Sequence, residues 1–320
     1  MKTPSTRRLL ANLARVAPVL ASALLLGACG AQQGNPAQSS GSGPIPVVAS
    51  TSVYGDIVKS IGGEKVSVTS VISKQSQDPH SYEATTQDRA AVSKARLVVF
   101  NGHGYDDFML KLANEAKLPA NSLLNAVDAS GLDPSPSAAA GGKDEFNEHV
   151  WYSTDAMKKV ADTVAEKLAA LDPTDSQSFK DRAAQWEAKL TGITGKLDAI
   201  KAAHHSEAVA VTEPVPLYLL EAAGLENKTP EAFSNAVEAG NDVPPAALKQ
   251  MQELISAHQV ALLAHNPQTE SPQTQALKKF AQDARVPVVD FTETMPEGTE
   301  YVTWMTANAD ALSAALGSAK

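Results

Sequence analysis

Four residues in this 320-residue chain have the types and placement to hold a cation together. His80 lies in Gln77-Asp78-Pro79-His80-Ser81-Tyr82-Glu83, and His149 in Glu148-His149-Val150-Trp151-Tyr152. Glu213 and Glu293 each stand just beyond a β-branched run, 208–212 and 286–291. Imidazole nitrogen favours zinc and its neighbours, and carboxylate oxygen admits manganese, so the set suits a divalent transition metal. Further candidates follow strand-like runs: His103 in Asn101-Gly102-His103-Gly104, His265 in Ala264-His265-Asn266-Pro267, and Asp290 as the rival of Glu293. Each of the four has a plainer alternative. His80 fits a turn stiffened by Asp78-Pro79, His149 fits packing beside Val150-Trp151, Glu213 fits a carboxylate at a helix start, and Glu293 fits a loop cap. The one cysteine, Cys29, leaves no thiolate pair, and no His-Glu-x-x-His run supplies a helix-borne catalytic zinc site.

These residues need a scaffold, and the hydrophobic pattern describes one. Short apolar runs at 47–50, 65–72, 97–100 and 122–127 alternate with helical patterns at 53–61, 85–94 and 106–116. Thr85 and Asp88 have the spacing of a capping-box variant. The alternation implies a parallel sheet covered on both faces. It stops at a Pro/Ser/Ala/Gly-rich, then acidic segment over 133–148, followed by a helix over 155–171. Phe179, Ala183, Trp186, Leu190, Ile193, Leu197 and Ile200 then recur at spacings of 4 and 3. That is one apolar stripe on a helix over 176–203, roughly 40 Å long. After His204-His205, which close this helix, strands at 208–212, 260–264 and 286–291 alternate with helices at 217–223, 244–258, from 271 onward and at 300–316. The reading is α/β: two doubly wound α/β lobes, 45–174 and 205–320, joined by one long backbone helix at 175–204, with limited relative motion. In open sheets of this kind ligands bind beyond the carboxyl ends of the strands. His80 and His149 from one lobe, with Glu213 and Glu293 from the other, fall there.

The first 28 residues read as a secretory leader: Lys2, Arg7, Arg8 and Arg15, an apolar run over 16–26, then Leu26-Gly27-Ala28-Cys29. Cys29 stands where a bacterial lipobox carries its acyl chains, and 29–44 reads as a Gly/Ser/Gln-rich tether. Without the four basic leader residues the chain keeps 23 Lys+Arg against 36 Asp+Glu, a net of −13. That excess of acid argues against nucleic acid as a partner. The expected location is extracytoplasmic, lipid-anchored to a membrane, with the remainder soluble.

The chain resembles the solute-binding lipoproteins of bacterial zinc and manganese ABC importers, the cluster A-I receptors. The carriers are Asp78-Pro79-His80-Ser81-Tyr82-Glu83, Phe100-Asn101-Gly102, Glu148–Ser153, the run 211–225 around Glu213 and the run 286–305 through Phe291-Thr292-Glu293. The resemblance covers about 45–318. It implies a metal buried between the lobes with His80, His149, Glu213 and an acid after the last strand as ligands, no open position for catalysis, and delivery of the ion to a membrane permease by a monomeric receptor. The last acid is usually Asp in such proteins; Glu293 aligns there. The segment 133–148 has no histidine, unlike the His-rich loop of many zinc receptors. Two imidazoles and two carboxylates lean toward manganese, whereas zinc outcompetes manganese at most N/O sites and the 291–305 run resembles the zinc branch. Zinc is placed first and manganese second. The alternatives are a zinc hydrolase, which needs an open coordination position, and a surface adhesin-like lipoprotein.

Overall fold

The structure, a computed structural model, describes residues 43–132 and 146–318. The leader, Cys29, the tether up to residue 42 and most of the 133–148 segment lie outside the described residues.

The first lobe is built on β1 (Ile45–Thr51), β2 (Val66–Ile72), β3 (Leu97–Phe100) and β4 (Leu123–Asn125). All four are parallel, in the order β2-β1-β3-β4. Its helices are α1 (Ser52–Gly62), α2 (Thr86–Val92), α3 (Asp107–Glu115), α4 (Ala126–Ser130) and α5 (Thr154–Leu171). The Thr85–Asp88 capping box forms as the spacing suggested. The strand expected over 122–127 stops at Asn125, whose side chain accepts from the Asp128 N–H and starts α4 instead.

Helix α6 runs unbroken over Ser176–His204. The seven residues of the apolar stripe are its buried residues. They press on both lobes, and Trp186 stacks on Tyr301 with ring centroids 5.5 Å apart. The second lobe follows: β5 (Ala208–Val211), α7 (Leu217–Ala222), β6 (Glu226–Asn227), α8 (Glu231–Glu238), α9 (Pro245–Ser256), β7 (Leu263–His265), α10 (Pro272–Asp283), β8 (Val288–Asp290) and α11 (Tyr301–Ser318). Its sheet is again parallel, ordered β6-β5-β7-β8. Helix α11 returns to pack along α6 and α1. One hydrophobic cluster therefore runs from Val47 and Ile57 in the first lobe, through α6, to Val211, Phe291 and Leu312.

In both sheets the strand order reverses beside the first strand, so a crevice opens past the carboxyl ends of β1 and β3 in one and of β5 and β7 in the other.

Candidate metal centre

His80 sits in the loop between β2 and α2. Asp78 builds that loop: its Oδ1 accepts from the His80 N–H at 2.9 Å and its Oδ2 from the Ser81 hydroxyl at 2.6 Å. The ring of Tyr105 stands edge-on to both imidazoles, with centroids 5.0 Å from His80 and 6.0 Å from His149.

His149 is wholly buried at the end of the loop that precedes α5. Asn147 decides which of its nitrogens is free. The Asn147 Oδ1 accepts from the His149 backbone N–H at 3.1 Å and faces its Nδ1 at 2.7 Å. An acceptor in that position requires the proton on Nδ1, which leaves the Nε2 lone pair bare. That Nε2 is buried and has no hydrogen-bond partner. Burial, and then the neighbouring His80, pull the His149 pKa down to about 3. It is therefore a neutral donor throughout the physiological range.

On the other side, Glu213 follows β5 and Glu293 follows β8. Asn266, the residue after β7, ties them together: its Nδ2 donates to Glu213 Oε2 and to Glu293 Oε1, each at 2.7 Å. Thr269 donates to the same Glu213 oxygen. Both carboxylates are almost fully buried. Burial pushes Glu213 up to about 7, opposed by Thr269 and Asn266. Burial and then the charge of Glu213 push Glu293 up to about 8.

A third carboxylate stands against the imidazoles. Glu238, the last residue of α8, places Oε1 3.8 Å from the Nε2 of His80 and 3.8 Å from that of His149. With Glu148 they form a set whose ligand atoms all lie within 4.8 Å of one another. Burial first, then Glu148, Glu213, Glu293 and Asp78, push Glu238 up to about 9. Burial raises Glu148 to about 7.

The remaining sequence candidates go elsewhere. His103 packs on Phe146 with centroids 4.6 Å apart. The His265 Nδ1 pairs with Asp290 Oδ1 at 2.8 Å, and Lys278 Nζ meets both Asp290 oxygens at 3.0 and 3.2 Å. Asp290 is thus engaged beside β7, while Glu293 shares Asn266 with Glu213.

The sequence does not single out Asn147, Glu148, Asn266, Gln268 or Glu238 as site residues. Asn266 and Gln268 stand in the Asn266-Pro267-Gln268-Thr269 turn just past a strand, a position that carried some signal. Gln268 is a junction. Its Oε1 accepts from the backbone N–H of Glu293 at 2.7 Å and of Thr294 at 3.0 Å. Its Nε2 donates across the cleft to the Gln75 carbonyl at 2.6 Å, in the loop that carries His80. Gln268→Ala strips two partly buried N–H groups of their acceptor, each loss costing about 1–3 kcal/mol. We expect a lower urea midpoint in the metal-free protein and a faster metal off-rate by stopped-flow chelation.

The acids also fix a pH dependence. Glu148, Glu213, Glu238 and Glu293 all titrate higher in the fold than unfolded. A carboxyl with a raised pKa favours the fold while protonated, and that advantage is lost as pH climbs from the unfolded value through the folded one. The depressed His149 acts oppositely, but only below its unfolded value near 6.5. Four raised carboxyls outweigh the one histidine below pH 6.5, so the thermal midpoint of chelator-treated protein should fall from about pH 4.5 to about pH 9. A bound divalent cation should remove the fall, since it displaces those protons.

The family model of ZnuA, the periplasmic component A of zinc-uptake complexes, matches residues 47–315. The chain belongs to the ZnuA family. Among curated relatives, it is 25% identical over 304 residues to the manganese ABC transporter substrate-binding lipoprotein scaA of Streptococcus gordonii, covering 91% of this chain and 94% of that one. It is 27% identical over 246 residues to the iron ABC transporter substrate-binding lipoprotein MtsA of Streptococcus pyogenes serotype M1, covering 71% and 77%. Among solved structures, the periplasmic zinc-binding protein TroA of Treponema pallidum superposes with a TM-score of 0.67 at 23% identity, covering 86% of this chain and 99% of that one. The fold expected from the sequence is thereby the fold of known members: two parallel-sheet lobes on one helix. The family is one of solute-binding receptors.

Proposed function

We propose that the protein is the extracytoplasmic receptor of a metal ABC importer. It captures Zn²⁺, with Mn²⁺ second, in the crevice between its lobes and delivers it to a membrane permease. His80, His149, Glu213 and Glu293 are the proposed ligands; the two imidazoles are supported by sharing one space with Glu148 and Glu238, and the two glutamates by their common partner Asn266. Leader, lipidated Cys29 and tether (1–44) hold the receptor at a membrane as a monomer, and lobes 45–174 and 205–320 flank the helix at 175–204.

One observation carries this reading: the bare Nε2 of His149, fully buried, without a partner and aimed at a carboxylate. Leaving such a nitrogen unsatisfied costs about 1–3 kcal/mol, and a cation removes that cost. The surrounding acids supply the charge that a dication needs. The relatives whose names state manganese or iron, beside a family described for zinc, support a first-row dication without ranking them. A hydrolase reading has less behind it, because the carboxylates crowd the imidazoles instead of leaving a position for attacking water.

The test is metal analysis of protein purified without added metal, followed by titration with zinc and manganese buffered together. Stoichiometric first-row metal, displaced most readily by zinc, is the expected result. Protein that takes up neither ion would refute the assignment.

A further inference from the structure

We propose that Glu238 is a direct ligand of the captured cation, supplied by α8, and that it sets how well the site holds manganese against zinc. The inference rests on the receptor reading above and adds to it a residue outside the four that sequence suggested.

The geometry is that of a shared ion and not of a hydrogen bond. Glu238 Oε1 is 3.8 Å from each imidazole Nε2, whereas a direct hydrogen bond needs about 2.7–3.2 Å. A metal about 2.0–2.2 Å from each donor fits between atoms separated by that distance. His149 can present nothing but a lone pair to this space, because Asn147 holds its proton on Nδ1. The second oxygen of Glu238 is buried and also lacks a partner. The position is held firmly: Val237 and Phe233, on the same short helix, are buried in the core of the second lobe.

A third carboxylate changes the preference of the site. Two imidazoles with Glu213 and Glu293 make four donors, the number zinc takes in closed sites. Glu238, which shares with Glu148 the 4.8 Å set around the imidazoles, would add a further anionic oxygen to these proposed donors, giving a harder and larger shell that suits manganese. Glu238 therefore offsets part of the intrinsic advantage of zinc.

Chelator-treated wild type, Glu238→Gln and Glu238→Ala are titrated with Mn²⁺ and with Zn²⁺ against competing chelators, and the visible spectrum is recorded with Co²⁺. Loss of a partner outside the coordination shell costs about 10–100-fold in affinity, so Mn²⁺ affinity should fall at least about 100-fold in both variants. Zn²⁺ affinity should fall less, and the Co²⁺ bands should intensify as coordination drops toward four. The metal-free variants should melt no lower than wild type, since one member of a crowded acidic set is gone. Unchanged or tighter binding would show that Glu238 only occupies the space an ion takes, and would overturn the proposal. So would equal losses for both metals with an unaltered Co²⁺ spectrum. Failure of wild type to bind any of these ions would instead count against the receptor reading itself.

Discussion

Protein carrying His80→Ala together with His149→Ala is expected to come off the column without metal. The two side chains differ in burial but share one space, their Nε2 atoms each 3.8 Å from the same Glu238 oxygen. They are the only neutral donors in a group otherwise made of carboxylates, and without them the site is a patch of acids whose pKa values are pushed toward and above neutrality by burial. Such acids hold protons in preference to a dication. Affinity should drop by at least about a thousandfold, beyond the 10–100-fold typical of losing an outer partner, as read by competition with a fluorescent chelator. The fold should survive, because removing His149 also removes an unsatisfied buried nitrogen, although it leaves a small cavity beneath Tyr105 and Trp151. Stoichiometric zinc or manganese in the double variant would end the assignment of this cleft.

The second large effect falls far from the metal. Trp186 is 2% exposed at the middle of α6 and stacks on Tyr301, whose hydroxyl donates to the Trp151 carbonyl at 2.6 Å. Trp186→Ala removes the largest side chain of the α6 stripe and opens a cavity where both lobes and α11 meet. Truncations of this kind cost about 3–5 kcal/mol. Urea unfolding followed by circular dichroism should show that loss, while metal affinity measured on the folded protein changes little. A change below about 1 kcal/mol, within the range of ordinary surface substitutions, would show that α6 is not the beam of the structure.

The long helix and the strand alternation were legible because their signals repeat. Seven stripe residues in phase define one apolar helix face, and the capping residues Thr85 and Ser271 mark helix starts by a local hydrogen bond that depends on a few neighbours. The site was legible only in part. Residues that follow strands, His80, Glu213 and Glu293 among them, inherit their position from the sheet. Glu238 does not. It ends α8, eight residues long, with just Phe233 and Val237 buried, and so short a helix shows barely two turns of periodicity. Pro230 before Glu231 and Gly240 just beyond were its punctuation. The roles of Asn266 and Gln268 depend on partners 25 to 193 positions away in the chain, which no local pattern carries, whereas Asn147 acts on His149 just two positions on. Short strands such as β7 and β8 were expected longer because their apolar runs begin earlier, at the buried Val260 and Val286, ahead of the assigned strand residues.

The hydrophobic cluster that passes from β1 through α6 to α11 makes the lobes inseparable as folding modules. Either one expressed alone would present half of a divided core to water, and Trp186 would have no Tyr301 to meet. Unfolding is therefore expected to couple the two lobes through α6, and calorimetry should show a single transition.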